Sequence, residues 1–131
     1  AYSDERMELT DPELVYLLFD TGHSTTGGED AVEIIKKYID RVGHIHVKDV
    51  RRNVFEQVKA ENHSFLWGVK NGMFTVPGDG DCVDWDGVFE VIKNSDYEGW
   101  IVVEAEQDPA KADPLEYAQK ARSFMREKLG C

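Results

Sequence analysis

Three side chains of metal-ligating type close short apolar runs and open polar loops. They are Asp20 in Leu17-Leu18-Phe19-Asp20-Thr21-Gly22-His23, His46 in His44-Ile45-His46-Val47-Lys48-Asp49, and Glu104 in Ile101-Val102-Val103-Glu104-Ala105-Glu106. If the runs are parallel strands, their loop-bearing ends converge on one face. Three residues remote in sequence then meet around one divalent cation. Carboxylates with one imidazole suit Mn2+ or Co2+, with Mg2+ also compatible, better than an ion that prefers thiolates. The chemistry expected is metal-assisted catalysis.

Each residue has a plainer reading when taken singly. Glu104 can be the first solvated residue after a strand, although a carboxylate ending so apolar a run is costly to bury unless paired or metal-bound. His44 and His46 alternate along one strand and so share a side. His46, nearer the loop, is the better ligand, and His44 suits a structural role one layer deeper. His23, three residues after Asp20, can reach the metal or a substrate hydroxyl. Coincidence of three such residues at three successive strand ends is what favours a site.

Around them lies a local basic cluster, Lys48, Arg51 and Arg52, in an otherwise acidic chain. Such cations can hold hydroxyls or an enediolate oxygen through charge-assisted hydrogen bonds. Arg51 by itself reads as a solvated residue at a helix start. Glu106 alternates with Glu104, one step further into its loop. Cys82 has no Cys-x-x-Cys partner, so a structural zinc site is not expected. The turn 77–81 has too few carboxylates for a calcium loop. Trp67, Phe74 and Trp85 read as core or wall.

The elements that must position these residues alternate. The pattern predicts the end of a helix at 3–9, a strand over 14–19 buried on both faces, and a Gly-rich loop over 21–28. A helix follows at 29–40, with Ala31, Ile34, Ile35, Tyr38 and Ile39 on one face. A strand at 43–47, two short helices within 51–72 and a short extended piece at 74–76 come next. Asp84 caps a helix carrying Trp85, Val88, Phe89 and Ile92 inward. A strand at 100–104 precedes a helix that starts at Asp113-Pro114 and is stopped by Gly130. This order predicts an α/β fold of right-handed βαβ units on a parallel sheet. Residues 1–131 read as a single domain with three convincing strands, fewer than the eight a closed barrel needs.

Bulk properties narrow the partners. The chain has 131 residues, with 26 acids against 15 bases and a net charge of −11. That charge disfavours nucleic acid, anionic membrane and highly phosphorylated substrates, and suits a small neutral polyol or keto sugar. No apolar run reaches the length of a membrane span. No secretory leader pattern precedes the first helix, and Cys82 and Cys131 read as reduced thiols. Both observations predict a cytoplasmic protein.

The motifs Asp20-Thr21-Gly22-His23, residues 44–51 (His-Ile-His-Val-Lys-Asp-Val-Arg), 74–80 (Phe-Thr-Val-Pro-Gly-Asp-Gly) and 102–109 (Val-Val-Glu-Ala-Glu-Gln-Asp-Pro) resemble the C-terminal part of the inosose dehydratase family. That family belongs to the xylose isomerase-like sugar isomerase/epimerase barrels. The resemblance implies a partial (β/α)8 TIM barrel, its last three or so β/α units with parallel strands. It implies metal ligation by Asp20, His46 and Glu104, and substrate contact by His23 and by Arg52, with Arg51 as the alternative counterpart. The implied reaction is dehydration of a keto-inositol in cyclitol catabolism. Glu104 is the candidate base, His23 the possible proton donor, and the basic cluster with Lys48 faces the substrate. Isomerisation or epimerisation of a small keto sugar through a metal-held enediolate is the second reading. The resemblance also implies that a further metal or catalytic residue, and about five of eight strands, lie upstream of Ala1. A piece of that kind needs the missing barrel portion, a homo-oligomer or a rearranged fold, and a non-catalytic, self-associating fragment is the third reading.

Overall fold

The computed structural model describes residues 2–130, so Cys131, expected as a free thiol, lies outside the described residues. Helix α1 (Tyr2–Glu8) leads to strand β1 (Leu17–Asp20), helices α2 (Thr21–Thr26) and α3 (Ala31–Tyr38), and a 3-10 turn (Ile39–Arg41). Strands β2 (Val42–Val47) and β3 (Asp49–Val50), helices α4 (Arg52–Ala60) and α5 (Phe65–Lys70), and strand β4 (Phe74–Thr75) follow. Helix α6 (Trp85–Lys93), strand β5 (Ile101–Val103) and helix α7 (Pro114–Leu129) complete the chain.

The sheet that matters is three-stranded and parallel, in the order β1-β2-β5. Its register aligns the strand ends: Asp20 pairs with His46, and His46 pairs with Val102. The amide of Glu104 extends the ladder by donating to the carbonyl of Val47 at 3.1 Å. Neighbours in the sheet are also successive parallel strands in the chain, and the sheet is open at β1 and β5. This is the expected α/β architecture of a partial barrel.

Helices α3, α6 and α7 cover one face. Phe19, Ile45 and Val47 from the strands join Ile34 and Ile35 of α3, Val88 and Phe89 of α6, and Met125 of α7 in one core. The helix starts follow their capping residues. The side chains of Asp30, Asp84 and Asp113 accept amides of the first turns of α3, α6 and α7, and Gly130 ends α7 in the left-handed conformation with φ 78°. Each cap satisfies donors that a helix leaves unpaired.

Three expectations fail. The first strand is shorter than 14–19, because Asp11 nucleates a turn that accepts the amides of Leu14 and Val15. Nor is it buried on both faces: Leu18 is 51% exposed. Its continuous apolar run reflects one buried face and one face without cover among the described residues. The loop expected over 21–28 contains α2. Asp20 caps it by accepting from the His23 amide at 2.8 Å, and the hydroxyls of Thr25 and Thr26 donate to the carbonyls of Thr21 and Gly22. Local side-chain bonds thus override the poor helix propensity of this stretch.

The extended piece expected at 74–76 is one half of an antiparallel pair, β3 with β4, in which Asp49 faces Thr75 and Val50 faces Phe74. Helices α4 and α5 pack Val54, Phe55, Val58 and Val69 against this second, smaller core. Phe74 and Trp85 are buried, as expected of core aromatics. Between the cores sits Asp49, fully buried. Its Oδ1 accepts the amides of Val50, Cys82 and Val83, and its Oδ2 accepts the Trp85 indole N–H at 2.7 Å. Burial raises its pKa, and these donors work against that rise. Asp49→Ala would orphan buried donors at about 1–3 kcal/mol each. The variant is therefore expected to lose roughly 3 kcal/mol or more of unfolding free energy in a urea titration.

Candidate metal centre

Parallel strands deliver the predicted residues to one place. Asp20 ends β1, His46 lies near the end of β2, and Glu104 follows β5. One ligand atom from each lies within 4.8 Å of those of the other two. Nδ1 of His46 is 3.1 Å from Oε2 of Glu104 and 3.7 Å from Oδ2 of Asp20. Asp20 divides its carboxylate between two tasks. Oδ1 caps α2, and Oδ2 faces the centre. The cap fixes the rotamer, so the ligand oxygen is pre-aimed.

Donor type and spacing fit a divalent ion with O,O,N ligation. The group is buried to intermediate in exposure, as a cation site open to substrate requires. His44 lies one layer deeper, its ring 5.1 Å from that of His46 in an edge-on arrangement.

Lys48 occupies the middle of the site, with no exposed surface. Its ammonium lies 2.6 Å from Glu104 Oε2, 3.3 Å from Asp20 Oδ2 and 3.4 Å from Glu106 Oε2. Burial alone would lower its pKa, but the hydrogen bond it donates to Glu104 and the charges of Asp20, Glu106 and Glu104 outweigh it and raise it. In return, the Lys48 hydrogen bond lowers the pKa of Glu104 against the opposing effect of burial, with the charge of His46 assisting. The carboxylate of Glu104 is therefore held ionised at neutral pH.

Two residues hold Lys48 in place. The hydroxyl of Thr21 donates to its carbonyl at 2.7 Å and accepts its amide at 3.0 Å. Gly22 gives its stem room, since a Cβ there would stand 2.3 Å from Lys48 Cγ. The ammonium also lies 5.1 Å from the centre of the Phe74 ring.

Of the expected substrate contacts, His23 is brought to the centre. Its Nε2 is 3.2 Å from Lys48 Nζ, and its ring packs against Phe65 and Phe74. Arg52 is turned elsewhere: its amide and guanidinium donate to the side chain and carbonyl of Asp81. Arg51 is not a solvated helix start. Its guanidinium donates to the carbonyls of Gly72 and Phe74, to Thr75 and to Asp79, tying β4 and its turn together. Neither Glu106 nor the ion pairing of Lys48 is expected from the sequence. The period of two puts Lys48 on the side of His46, but Glu106 lies beyond β5 with φ 45°, and only the path of its loop brings it beside Lys48.

Comparison with known proteins agrees with this geometry. The model of a family described as xylose isomerase-like TIM barrel matches residues 5–128. The chain is 58% identical over 130 residues to inosose dehydratase 2 of Bacillus cereus, covering 99% of this chain and 43% of that protein. It is 55% identical over 127 residues to an inosose dehydratase of Clostridium beijerinckii, covering 97% of this chain and 42% of the relative. It is 56% identical over 125 residues to one from Clostridium tetani, covering 95% and 42%. The chain thus spans about two fifths of the length of the curated relatives it matches. No helix among the described residues is long and apolar enough to cross a membrane.

Gly22→Ala tests how the centre is built. The added methyl group must displace the Lys48 stem, and overpacking of this kind costs about 1–3 kcal/mol. A loss of that size is expected in a urea titration, with the far-ultraviolet circular dichroism unchanged.

Proposed function

The chain belongs to the xylose isomerase-like TIM-barrel family, and on that premise we propose that it carries the metal-binding strand ends of a dehydratase acting on keto-inositols. One observation carries this reading. Asp20, His46 and Glu104 form a single ligand cluster in a chain 55–58% identical to inosose dehydratases. A small, neutral, hydroxyl-rich ketone suits the acidic surroundings.

When bound, a divalent ion, with Mn2+ or Co2+ favoured by the donor set, supplies Lewis-acid polarisation of the substrate ketone. The chain's own groups do the rest. Glu104, held ionised by Lys48, takes the proton from the carbon next to the ketone. The electron pair of that C–H bond forms the new carbon–carbon double bond as the hydroxyl on the adjoining carbon departs. His23 gives that hydroxyl its proton, so that water leaves. The Lys48 ammonium lies close enough to Glu104 and His23 to offset negative charge growing on the ketone oxygen. Arg52 reaches substrate only by releasing the Asp81 carbonyl.

The same groups serve isomerisation or epimerisation of a small keto sugar, which differs only in where the proton returns. The family's description keeps this as the second reading, and product analysis with inosose and with ketohexoses separates the two. A third reading is a non-catalytic fragment completed by self-association or by further barrel strands. It is favoured by the uncovered inner face, where Leu18 and Val102 are 51% and 36% exposed.

Glu104→Gln is expected to lower the rate of inosose dehydration by about 10²–10⁴-fold, the usual worth of a positioned general base. Turnover within a few-fold of the unsubstituted protein, with metal bound, would show that Glu104 is neither base nor needed ligand. Mn2+ uptake without turnover of either substrate class, by a protein that sediments as an oligomer, would point to the third reading.

A further inference from the structure

The ammonium of Lys48 and the ligand imidazole compete for the same oxygens. Glu104 Oε2 is 2.6 Å from Lys48 Nζ and 3.1 Å from His46 Nδ1, while Asp20 Oδ2 is 3.3 Å from Nζ and 3.7 Å from Nδ1. An ammonium in contact with two ligand oxygens cancels part of the charge that would attract a divalent ion, and repels that ion directly.

The other side of the ammonium faces Glu106. Glu106 Oε2 is buried and makes no hydrogen bond among the described residues, although Nζ stands 3.4 Å away. Its backbone is left-handed, φ 45°, a conformation that non-glycine residues other than Asn or Asp adopt at a cost. The local structure thus holds an unsatisfied carboxylate oxygen beside a cation already engaged elsewhere. Oε1 of the same residue lies 3.8 Å from His23 Nε2, so the carboxylate spans the gap between lysine and histidine.

We propose that Lys48 is the resident counter-ion of this centre: it holds Asp20 and Glu104 together while no metal is bound, and turns to Glu106 when a divalent ion takes their oxygens. Glu106 is then a positioning residue, acting through Lys48 on metal uptake. The inference rests on the metal-binding reading above. It adds that metal affinity is held down by Lys48 and partly restored by Glu106.

The test is a calorimetric Mn2+ titration of the unsubstituted chain, Lys48→Met, Glu106→Gln and the double variant. Lys48→Met is expected to bind at least tenfold more tightly. Glu106→Gln should weaken binding at least fivefold when Lys48 is present, and less than twofold in the Lys48→Met background. Such non-additivity is the mark of two groups acting on one another. Unchanged or weaker binding by Lys48→Met, or the same Glu106→Gln factor in both backgrounds, would overturn the proposal.

Should Lys48→Met not fold, the unsubstituted chain with 13C-labelled lysine decides the matter. Saturating Mg2+ must shift the Lys48 Cε resonance, and an unmoved resonance overturns the proposal. Mn2+ uptake by the unsubstituted chain that Asp20→Asn abolishes establishes the metal site independently of Lys48. If no variant takes up metal, the metal reading falls and this inference falls with it.

Discussion

A lysine ammonium with no exposure has to be neutralised where it lies, and that requirement organises one end of the molecule. Removing such a charge from water costs several kcal/mol unless partners surround it. Asp20, Glu104 and Glu106 supply the compensating charge, and they can do so only if β1 and β5 end level with β2. The parallel register achieves this by setting Asp20 and Val102 opposite His46. The same requirement explains Gly22, whose missing side chain leaves room for the lysine stem, and Thr21, whose hydroxyl ties the start of α2 to the Lys48 backbone. Ligands drawn together by an ammonium are also placed for a metal ion.

The sheet that carries these groups is covered on one side. Helices α3, α6 and α7 share a core with Phe19, Ile45 and Val47, whereas Leu18, His44, His46 and Val102 lie on the other face. A doubly wound sheet would put helices on both sides. One-sided cover is what a barrel wall shows, with its inner residues directed to the lumen and its chemistry at the loop-bearing strand ends. The inner face is therefore the route to the candidate metal ligands.

Much of this was legible beforehand because the signals are local. Asp84 and Asp113 with Pro114 mark helix starts through hydrogen bonds spanning three residues, and Gly130 marks a stop through its own φ. Asp20, His46 and Glu104 stood out because a ligating side chain at the end of an apolar run is unusual. The failures came where distant residues decide the outcome. Helix α2 depends on a carboxylate that also faces the metal centre, in a stretch whose composition reads as loop. Strand β3 has two residues, and only pairing with β4 makes it a strand. Arg51 looked solvated, yet its guanidinium is occupied by carbonyls 21 and 23 residues away.

By itself, the amino-acid sequence determined the alternation of the main strands and helices, the caps at Asp84 and Asp113, the α/β class and which three residues are candidates for metal ligation. Each is encoded in residue type, in periodicity or in contacts a few residues apart. Only the tertiary structure decided that Lys48 and Glu106 belong to the same charge cluster, that Arg52 faces Asp81, and that one face of the sheet lies bare. These are facts of long-range proximity. Whether a buried charge is neutralised depends on groups 28, 56 and 58 residues away, and no local pattern carries that distance.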